Sequence, residues 1–455
     1  MIKKILIANR GEIAVRIIRT CKDMGIETVA VYSTADADAL HVQLADEAVC
    51  IGAPSAKESY LNTNNVLSAA LLTGCDAVHP GFGFLSENAA FARLVEDCGL
   101  IFIGPNSDVI ELMGNKINAR KKMIEAGVPV IPGSDGEIES IEEGIVIAKK
   151  IGYPIMIKAA AGGGGRGIRI VHDDAQFRAV FDTLRQEAKN NFGDNTVYIE
   201  KMFSDPKHIE VQILADKHGK VLHLFERDCS FQRRHQKVIE EAPCHILTLQ
   251  QRQKICEDAV RVAQAVGYDS VGTVEFLFDE HKNHYFMEMN TRIQVEHPIT
   301  EMITGIDLIR HMIRCADQIP LPLEQKDIII RGHAIECRIN AEDMRRDFAP
   351  SGGKIEFYHP PGGKDVRIDS AIYNGYVIPP FYDSMILKLI AYGDSRLAAI
   401  KKMRSALEEL IIDGVTTNIE FHYMILHHST FIDGKYTTGF AAEWIKELKE
   451  RESAI

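Results

Sequence analysis

The stretch Val271-Gly-Thr-Val-Glu-Phe-Leu-Phe-Asp279, Glu280-His-Lys-Asn283, His284-Tyr-Phe-Met-Glu-Met-Asn-Thr-Arg-Ile-Gln-Val-Glu296 decides how this chain is read. Both apolar runs have strand character, and the four residues between them suit a hairpin loop. Side chains alternate across a strand, so an extended return run places Glu288, Asn290, Arg292, Gln294 and Glu296 on one face. Met289, Ile293 and Val295 then face the other way. Pairing Asp279 with His284 sets Glu275 opposite Glu288. Like charges directly opposed in a sheet destabilise it, and a divalent cation removes the penalty. Carboxylates followed by an amide oxygen suit a hard ion such as magnesium. The competing reading is a solvated face without metal, and the apolar residues flanking each carboxylate weigh against it. Further along the row, Arg292 offers a guanidinium to a small anion, with Glu296 beside it.

At 455 residues the chain is long enough for two to four structural units and a large core. Its 46% hydrophobic and 25% charged content is that of a soluble globular protein. A net charge of −12 argues against a nucleic-acid binder. The nine cysteines are scattered without a CxxC pair, which argues against zinc and for reduced thiols. A strand begins at once, with no leader-like segment and no bilayer-length apolar run, so a cytoplasmic protein without membrane contact is expected, and the mature form of an organelle protein would read the same.

The first hundred residues alternate strand and helix: Ile2–Ala8, a turn, the helix Glu12–Met24, then Thr28–Tyr32. This βαβ order predicts a parallel sheet. The turn Asn9-Arg-Gly11 lacks G-x-G-x-x-G, so dinucleotide binding is not expected there. A second unit begins near Met113. It contains a helix over 138–151, a strand over 153–159, the strand Ile168–Val171, a helix near 175–190 and a strand over 196–201. Strands over 209–214 and 221–227 and a helix over 249–266 precede the hairpin. Beyond Pro320, Gly332–Asn340 alternates with Ile335, Cys337 and Ile339 on one face. Arg396–Ile411 reads as an amphipathic helix with Leu397, Ile400, Leu407, Leu410 and Ile411 on its apolar stripe.

Between two of these strands lies Gly162-Gly-Gly-Gly-Arg-Gly167. A Rossmann fingerprint requires a helix next, but a strand follows. Such a loop can fold over phosphates and donate backbone N–H groups, acting as a lid; a plain flexible loop is the alternative. Lys158 precedes the loop, the reverse of the kinase order, and no P-loop occurs. In Glu226–Lys237, His235 and Lys237 alternate and are expected to point together at an anion, although a solvated loop reads equally well. His208 and Glu210 form another alternating pair. Arg338, between Glu336 and Asn340, reads as a salt bridge or a catalytic group.

Together, Ile7-Ala-Asn-Arg-Gly-Glu-Ile-Ala14, His79-Pro-Gly-Phe-Gly-Phe-Leu-Ser-Glu-Asn88, the glycine loop, Gln232-Arg-Arg-His-Gln-Lys237 and Met287–Pro298 resemble the biotin carboxylase family of ATP-grasp enzymes over essentially the whole chain. The resemblance implies an α/β and α+β architecture. It comprises a Rossmann-like βαβ domain over residues 1–113, an ATP-grasp domain over 114–330 with a mobile lid at about 131–203, and an α+β domain over 331–446. It implies ATP-dependent carboxylation of biotin with bicarbonate, giving ADP and phosphate. Lys116, Lys158, Gly164, Gly165, Glu200, Lys201, Met202, Phe203, His208, Gln232, His235, Glu275 and Glu288 are then expected at ATP. Glu275, Glu288 and Asn290 are expected at Mg2+ or Mn2+. Lys237, Arg292, Gln294 and Val295 are expected at bicarbonate, Glu296 is the expected base, and Arg338 and Gly83 are expected at biotin.

Phe82 departs from the usual tyrosine of this family, and Met344 and Gly352 stand where prolines are common. No Met-Lys-Met biotinylation motif occurs, so the resemblance implies a separate biotin carboxyl carrier protein and separate carboxyltransferase subunits. Biotin is then a carrier-bound substrate, and a homodimer is expected. Acetyl-CoA carboxylase is the simplest complex. The alternatives are an ATP-grasp ligase of another specificity and a nucleotide-sensing regulatory protein.

Overall fold

The structure, a computed structural model, describes residues 1–160 and 167–453. The glycines expected over phosphate, Gly164 and Gly165 among them, lie outside the described residues. Near the N-terminus a five-stranded parallel sheet has the order Glu47–Gly52, Glu27–Ser33, Lys4–Ile7, Ala77–His79, Ile101–Phe102. The chain winds outward in both directions from Lys4–Ile7, which opens a crevice at the carboxyl ends of the two central strands. The loops carrying Asn9 and His79–Glu87 meet there. Asn9 Nδ2 donates to the carbonyls of Pro80 and Phe82 at 2.7 and 2.8 Å. Gly81 sits at φ 63°, and a Cβ there would lie 2.9 Å from that same nitrogen. The helix Gly11–Met24 buries Ile13, Ile17 and Cys21 as its spacing predicts, and Gly25 ends it at φ 70°.

A three-stranded antiparallel sheet, Ile168–Val171, Ile155–Ala159 and Val197–Lys201, packs against the helices Ile141–Ile151 and Asp174–Phe192. Ile145, Ile155, Ile157, Phe177, Phe181 and Ile199 form its core. The largest sheet has eight strands: His284–Asn290, Val271–Phe278, Lys207–Ala215, Val221–Arg233, Gln236–Ala242, His333–Asn340, Met385–Gly393 and Val366–Ser370. Its last three strands come from beyond residue 330, so the segments on either side of Pro320 share one sheet.

Three sequence expectations need correction here. The return strand ends at Asn290, and Thr291–Glu296 turns out of the sheet before the helix His297–Thr304, so the polar row is not one continuous strand. The hairpin also closes one residue earlier, with Phe278 opposite His284 and Leu277 opposite Tyr285. An irregularity between Glu275 and Phe276 shifts the register back and brings Glu275 opposite Glu288. The helix Arg396–Glu409 buries Ala399, Ile400, Met403, Ala406 and Leu407, whereas Leu397 and Ile411 are largely exposed. Of the residues that depart from the family pattern, Phe82 and Met344 both pack against apolar clusters. Among the described residues no helix is long and apolar enough to cross a membrane.

One buried polar cluster ties the large sheet to its outer layer. Glu241 accepts from Arg396 Nε at 2.6 Å, from His333 Nε2 at 2.7 Å and from the Tyr436 hydroxyl. Burial pushes its carboxyl up, but His333 and Arg396 outweigh that and hold it well below the carboxylate range. A depressed folded-state pKa contributes stability that is present above the ordinary value of 4.5 and is lost as pH falls. Glu241→Gln is therefore expected to cost about 3–5 kcal/mol near neutral pH. The deficit should shrink in acid, as denaturant unfolding at a series of pH values would show. A pH-independent deficit would mean that only packing is lost.

Candidate functional site

The site lies where one face of the large sheet meets the turn Thr291–Glu296 and the crevice of the parallel sheet. Lys207–Ala215 supplies His208, Glu210 and Gln212 at alternate positions, and all three are buried. Arg227 stands opposite Glu210 on the next strand, and Glu275 faces Glu210 from the other side. These strands alternate so that one row of polar side chains points away from the apolar layer formed by Ile209, Val211, Val274 and Phe276.

Two cations organise this row. Arg227 is fully buried and spends all five of its N–H donors. It reaches Glu210 Oε1 at 2.6 Å, Gln212 Oε1 at 2.6 Å, Thr300 Oγ1 at 2.9 Å, Thr273 Oγ1 at 3.1 Å and Gln294 Oε1 at 2.8 Å. Lys237 bridges three carboxylates: Glu210, Glu275 Oε1 at 2.9 Å and Glu296 Oε1 at 2.7 Å. Burial alone would push the Lys237 ammonium down, but the three anions hold it well above the usual lysine range.

The expected base, Glu296, immediately precedes the helix His297–Thr304 without a side-chain capping bond and is buried. Its second oxygen accepts from Arg338 Nη2 at 3.0 Å. Desolvation would raise its pKa, yet Lys237, Arg338 and Arg227 hold it well below the carboxylate range, so it is ionised. Arg338 also grips Glu240 through Nε at 2.6 Å. Arg292 donates from Nε to Glu87 at 2.9 Å and from Nη2 to Asn290 Oδ1 at 2.9 Å. Glu87, from the same loop as Gly83, also accepts from the N–H of Thr291. The crevice of the parallel sheet thus holds Arg292 in place. Lys388, fully buried, donates to the Val295 carbonyl at 2.8 Å.

The expected metal ligands are brought together, but protein side chains already occupy them. Glu275 contacts Lys237 and His208, the latter at 3.0 Å. Glu288 pairs with Lys116 at 3.2 Å. The like-charge pair read from the sequence is therefore offset by side chains already present. Donor atoms of His208, Glu210 and Glu275 lie within 4.8 Å of one another, a set compatible with a divalent ion.

Of the residues expected at a nucleotide, Lys158 pairs with Glu200 at 2.5 Å. Gln232 donates to Nδ1 of His208 at 3.1 Å and so orients it. Phe203 stacks on Tyr285 with ring centroids 5.1 Å apart. Met202 follows the strand end beside it, and its N–H is taken by the Pro154 carbonyl. Three expectations need adjustment. Lys201 spends its ammonium on the carbonyls of Gly152 and Tyr153, at 2.7 and 3.2 Å. His235 stands exposed on a hairpin turn at φ 63°, so it does not share the buried direction of Lys237. Gln294 spends its amide between Arg227 and Glu275, which makes it a strut in this arrangement.

Sequence reasoning missed Arg227, Glu87 and Lys388 and saw Glu210 only as a neighbour of His208. The alternation His208, Glu210, Gln212 inside an otherwise apolar strand was the available signal. Glu87 and Lys388 reach the site from 205 and 93 residues away along the chain, distances at which pattern carries no information.

Family models match in three blocks: "Biotin carboxylase, N-terminal domain" over residues 1–110, "Carbamoyl-phosphate synthase L chain, ATP binding domain" over 115–324, and "Biotin carboxylase C-terminal domain" over 336–443. Biotin carboxylase 1 of Bacillus subtilis is 55% identical, covering 97% of this chain and 98% of that protein. A pyruvate carboxylase subunit of Methanothermobacter thermautotrophicus is 52% identical, covering 100% and 94%. The crystal structure of the biotin carboxylase domain dimer of Hydrogenobacter thermophilus 2-oxoglutarate carboxylase, in complex with MgADP, ADP and bicarbonate, superposes with a TM-score of 0.93. It is 50% identical and covers 97% of this chain and 98% of that one. With a doubly wound parallel sheet opening onto a buried acid–base row, and relatives matching nearly end to end, the chain belongs to the biotin carboxylase family of ATP-grasp ligases, which carboxylate biotin at the expense of ATP.

Proposed function

We propose that this site carboxylates the biotin of a separate carrier protein with bicarbonate and ATP, by way of carboxyphosphate. The observation that carries the reading is Lys237, one buried ammonium joining Glu275 on the hairpin to Glu296 at the helix start. It couples a nucleotide-side acid to a base. Lys116, Lys158, His208, Gln232, His235 and the Glu200–Phe203 segment are the residues proposed to meet the nucleotide, with Gly164 and Gly165 proposed for its phosphates. Mg2+ or Mn2+ held by Glu275, Glu288 and Asn290 would supply charge neutralisation for phosphoryl transfer.

Bicarbonate needs cations to hold it and a base to deprotonate it. Lys237, Arg292, Gln294 and the backbone of Val295 surround that place. The start of the helix His297–Thr304 adds a favourable dipole for an anion. At rest, Glu296 is a weak base because Lys237 and Arg338 both hold its charge. An anion drawing Lys237 away, and a biotin oxygen drawing Arg338 away, would each raise its basicity. Base strength thus develops only when the substrates are in place. Arg338 would then stabilise the biotin enolate oxygen, with Gly83 on the biotin side. Phosphate released from carboxyphosphate would take the biotin proton.

Free biotin is expected to stimulate ADP formation only when bicarbonate is present. Stimulation without bicarbonate, or none with it, would overturn the reading. For the complex served, we favour acetyl-CoA carboxylase, with carboxyltransferase subunits as further partners, a homodimeric arrangement and a cytoplasmic setting. A 2-oxo-acid carboxylase is the second reading, supported by the pyruvate and 2-oxoglutarate relatives. Capture of the biotinylated partner, followed by assay with each acceptor, separates the two.

A further inference from the structure

We propose that Glu240 and Glu336 share a single proton, and that this acid–carboxylate pair is a positioning device for Arg338. The inference rests on the assignment of Arg338 to biotin made above. The two residues are direct partners across adjacent antiparallel strands, so their side chains stand on one face about 5 Å apart at Cβ. Both are completely buried. Glu240 Oε1 accepts from Arg338, but Glu240 Oε2 and both oxygens of Glu336 receive no hydrogen bond. Three orphaned oxygens on two opposed carboxylates are costly if both are ionised. One proton between them pairs two of the three, one as donor and one as acceptor, and removes one of the two opposed charges.

The charged surroundings are consistent. Glu336 faces Glu240 on one neighbouring strand and Ile390 on the other, with Lys388 diagonal to it beside Arg338, which lies two residues along its own strand; Glu296 is the further carboxylate that acts on it. The helix His297–Thr304 covering this face presents Ile299 and Ile303. Burial pushes the Glu336 carboxyl well up and that of Glu240 up to about 7, against the pull of the cations. Arg338 spends Nε and Nη2 on Glu240 and Glu296, while Nη1 makes no hydrogen bond among the described residues. A second anion at Glu336 would compete for that edge. A neutral Glu336 donating to Glu240 leaves the guanidinium with one anion on this side and with Nη1 turned to substrate.

Infrared spectroscopy of the intact protein tests this without relying on turnover. The carbonyl stretch of a protonated carboxyl group, identified by its shift in D2O, should lose one component in Glu336→Gln. It should also lose one in Glu240→Gln, because either single acid left beside Arg338 and Lys388 ionises. A spectrum of either variant that superimposes on the parent overturns the shared proton. A band lost only in Glu336→Gln indicates an isolated acid and overturns the pairing. Should Glu336→Gln fail to fold, Glu240→Gln still decides; should Glu240→Gln fail, Glu240→Ala takes its place in the comparison. Kinetically, kcat/KM for biotin should fall on the order of tenfold in Glu240→Gln, with KM for ATP unmoved. The alkaline decline of biotin carboxylation should move in Glu336→Gln. If biotin does not stimulate the parent protein at all, the proposed function fails, and the infrared result still stands or falls by itself.

Discussion

Replacing Glu296 by alanine is expected to leave ATP affinity within about twofold while bicarbonate-dependent ADP formation falls by at least about 10², the usual scale for a general base. The scaffold should survive. Lys237 keeps Glu210 and Glu275, and Arg338 keeps Glu240, so neither cation is stranded. The carboxylate is ionised in the resting arrangement because three cations surround it. What alanine removes is therefore the proton acceptor itself. Glu296→Gln, similar in shape, should lose as much, since an amide is no base. Isothermal titration with nucleotide and a coupled ADP assay check the two halves. Turnover near the parent value would remove Glu296 from the role and leave Glu210 or Glu275 as the remaining carboxylates on Lys237.

A stability effect as large as that at Glu241 is expected at Arg227. Arg227→Met should cost about 3–5 kcal/mol, since it leaves partner groups buried without a donor. Glu210 would retain Lys237, but Gln212 Oε1, Thr300 and Gln294 Oε1 would each lose a bond made in the interior. Gln294 in turn orients Glu275 through a 2.7 Å bond, so nucleotide-dependent activity should fall together with stability. Arg227→Lys keeps the charge but has three donors where five are used, and should recover only part of the loss. Denaturant unfolding measures the outcome. A deficit below about 1 kcal/mol would mean that water replaces the network, and that Arg227 does not hold the row together.

The hairpin shows how a correct contact can follow from an incomplete argument. The apolar runs and the loop residues identified the two strands, and the opposition of Glu275 and Glu288 was legible. The irregularity beside Phe276 was not, because an extra residue on one strand leaves the alternation readable on each side of it. The end of the strand at Asn290 was hidden for a different reason. The alternation of Arg292, Gln294 and Glu296 also suits a turn whose side chains are pulled to three partners, Glu87, Arg227 and Lys237. The helix Gly11–Met24 and the strand Ile168–Val171 were recovered nearly residue for residue, because a single local period decides each of them, whereas the parallel sheet was legible in kind but only two of its five strands were given bounds.

By itself the sequence determined the kinds of layers, the order of the elements and the set of charged groups that must be brought together, since periodicity, turn chemistry and motif spacing are all local. Only the tertiary structure decided which charge neutralises which. Lys116 sits on Glu288, Lys237 on three acids, Glu87 on Arg292, and Lys388 on the Val295 carbonyl. These pairings join different strands, helices and loops and span tens to hundreds of residues. Their strength comes from exclusion of water, which exists only after the strands, the crevice loop and the helix His297–Thr304 have packed around them.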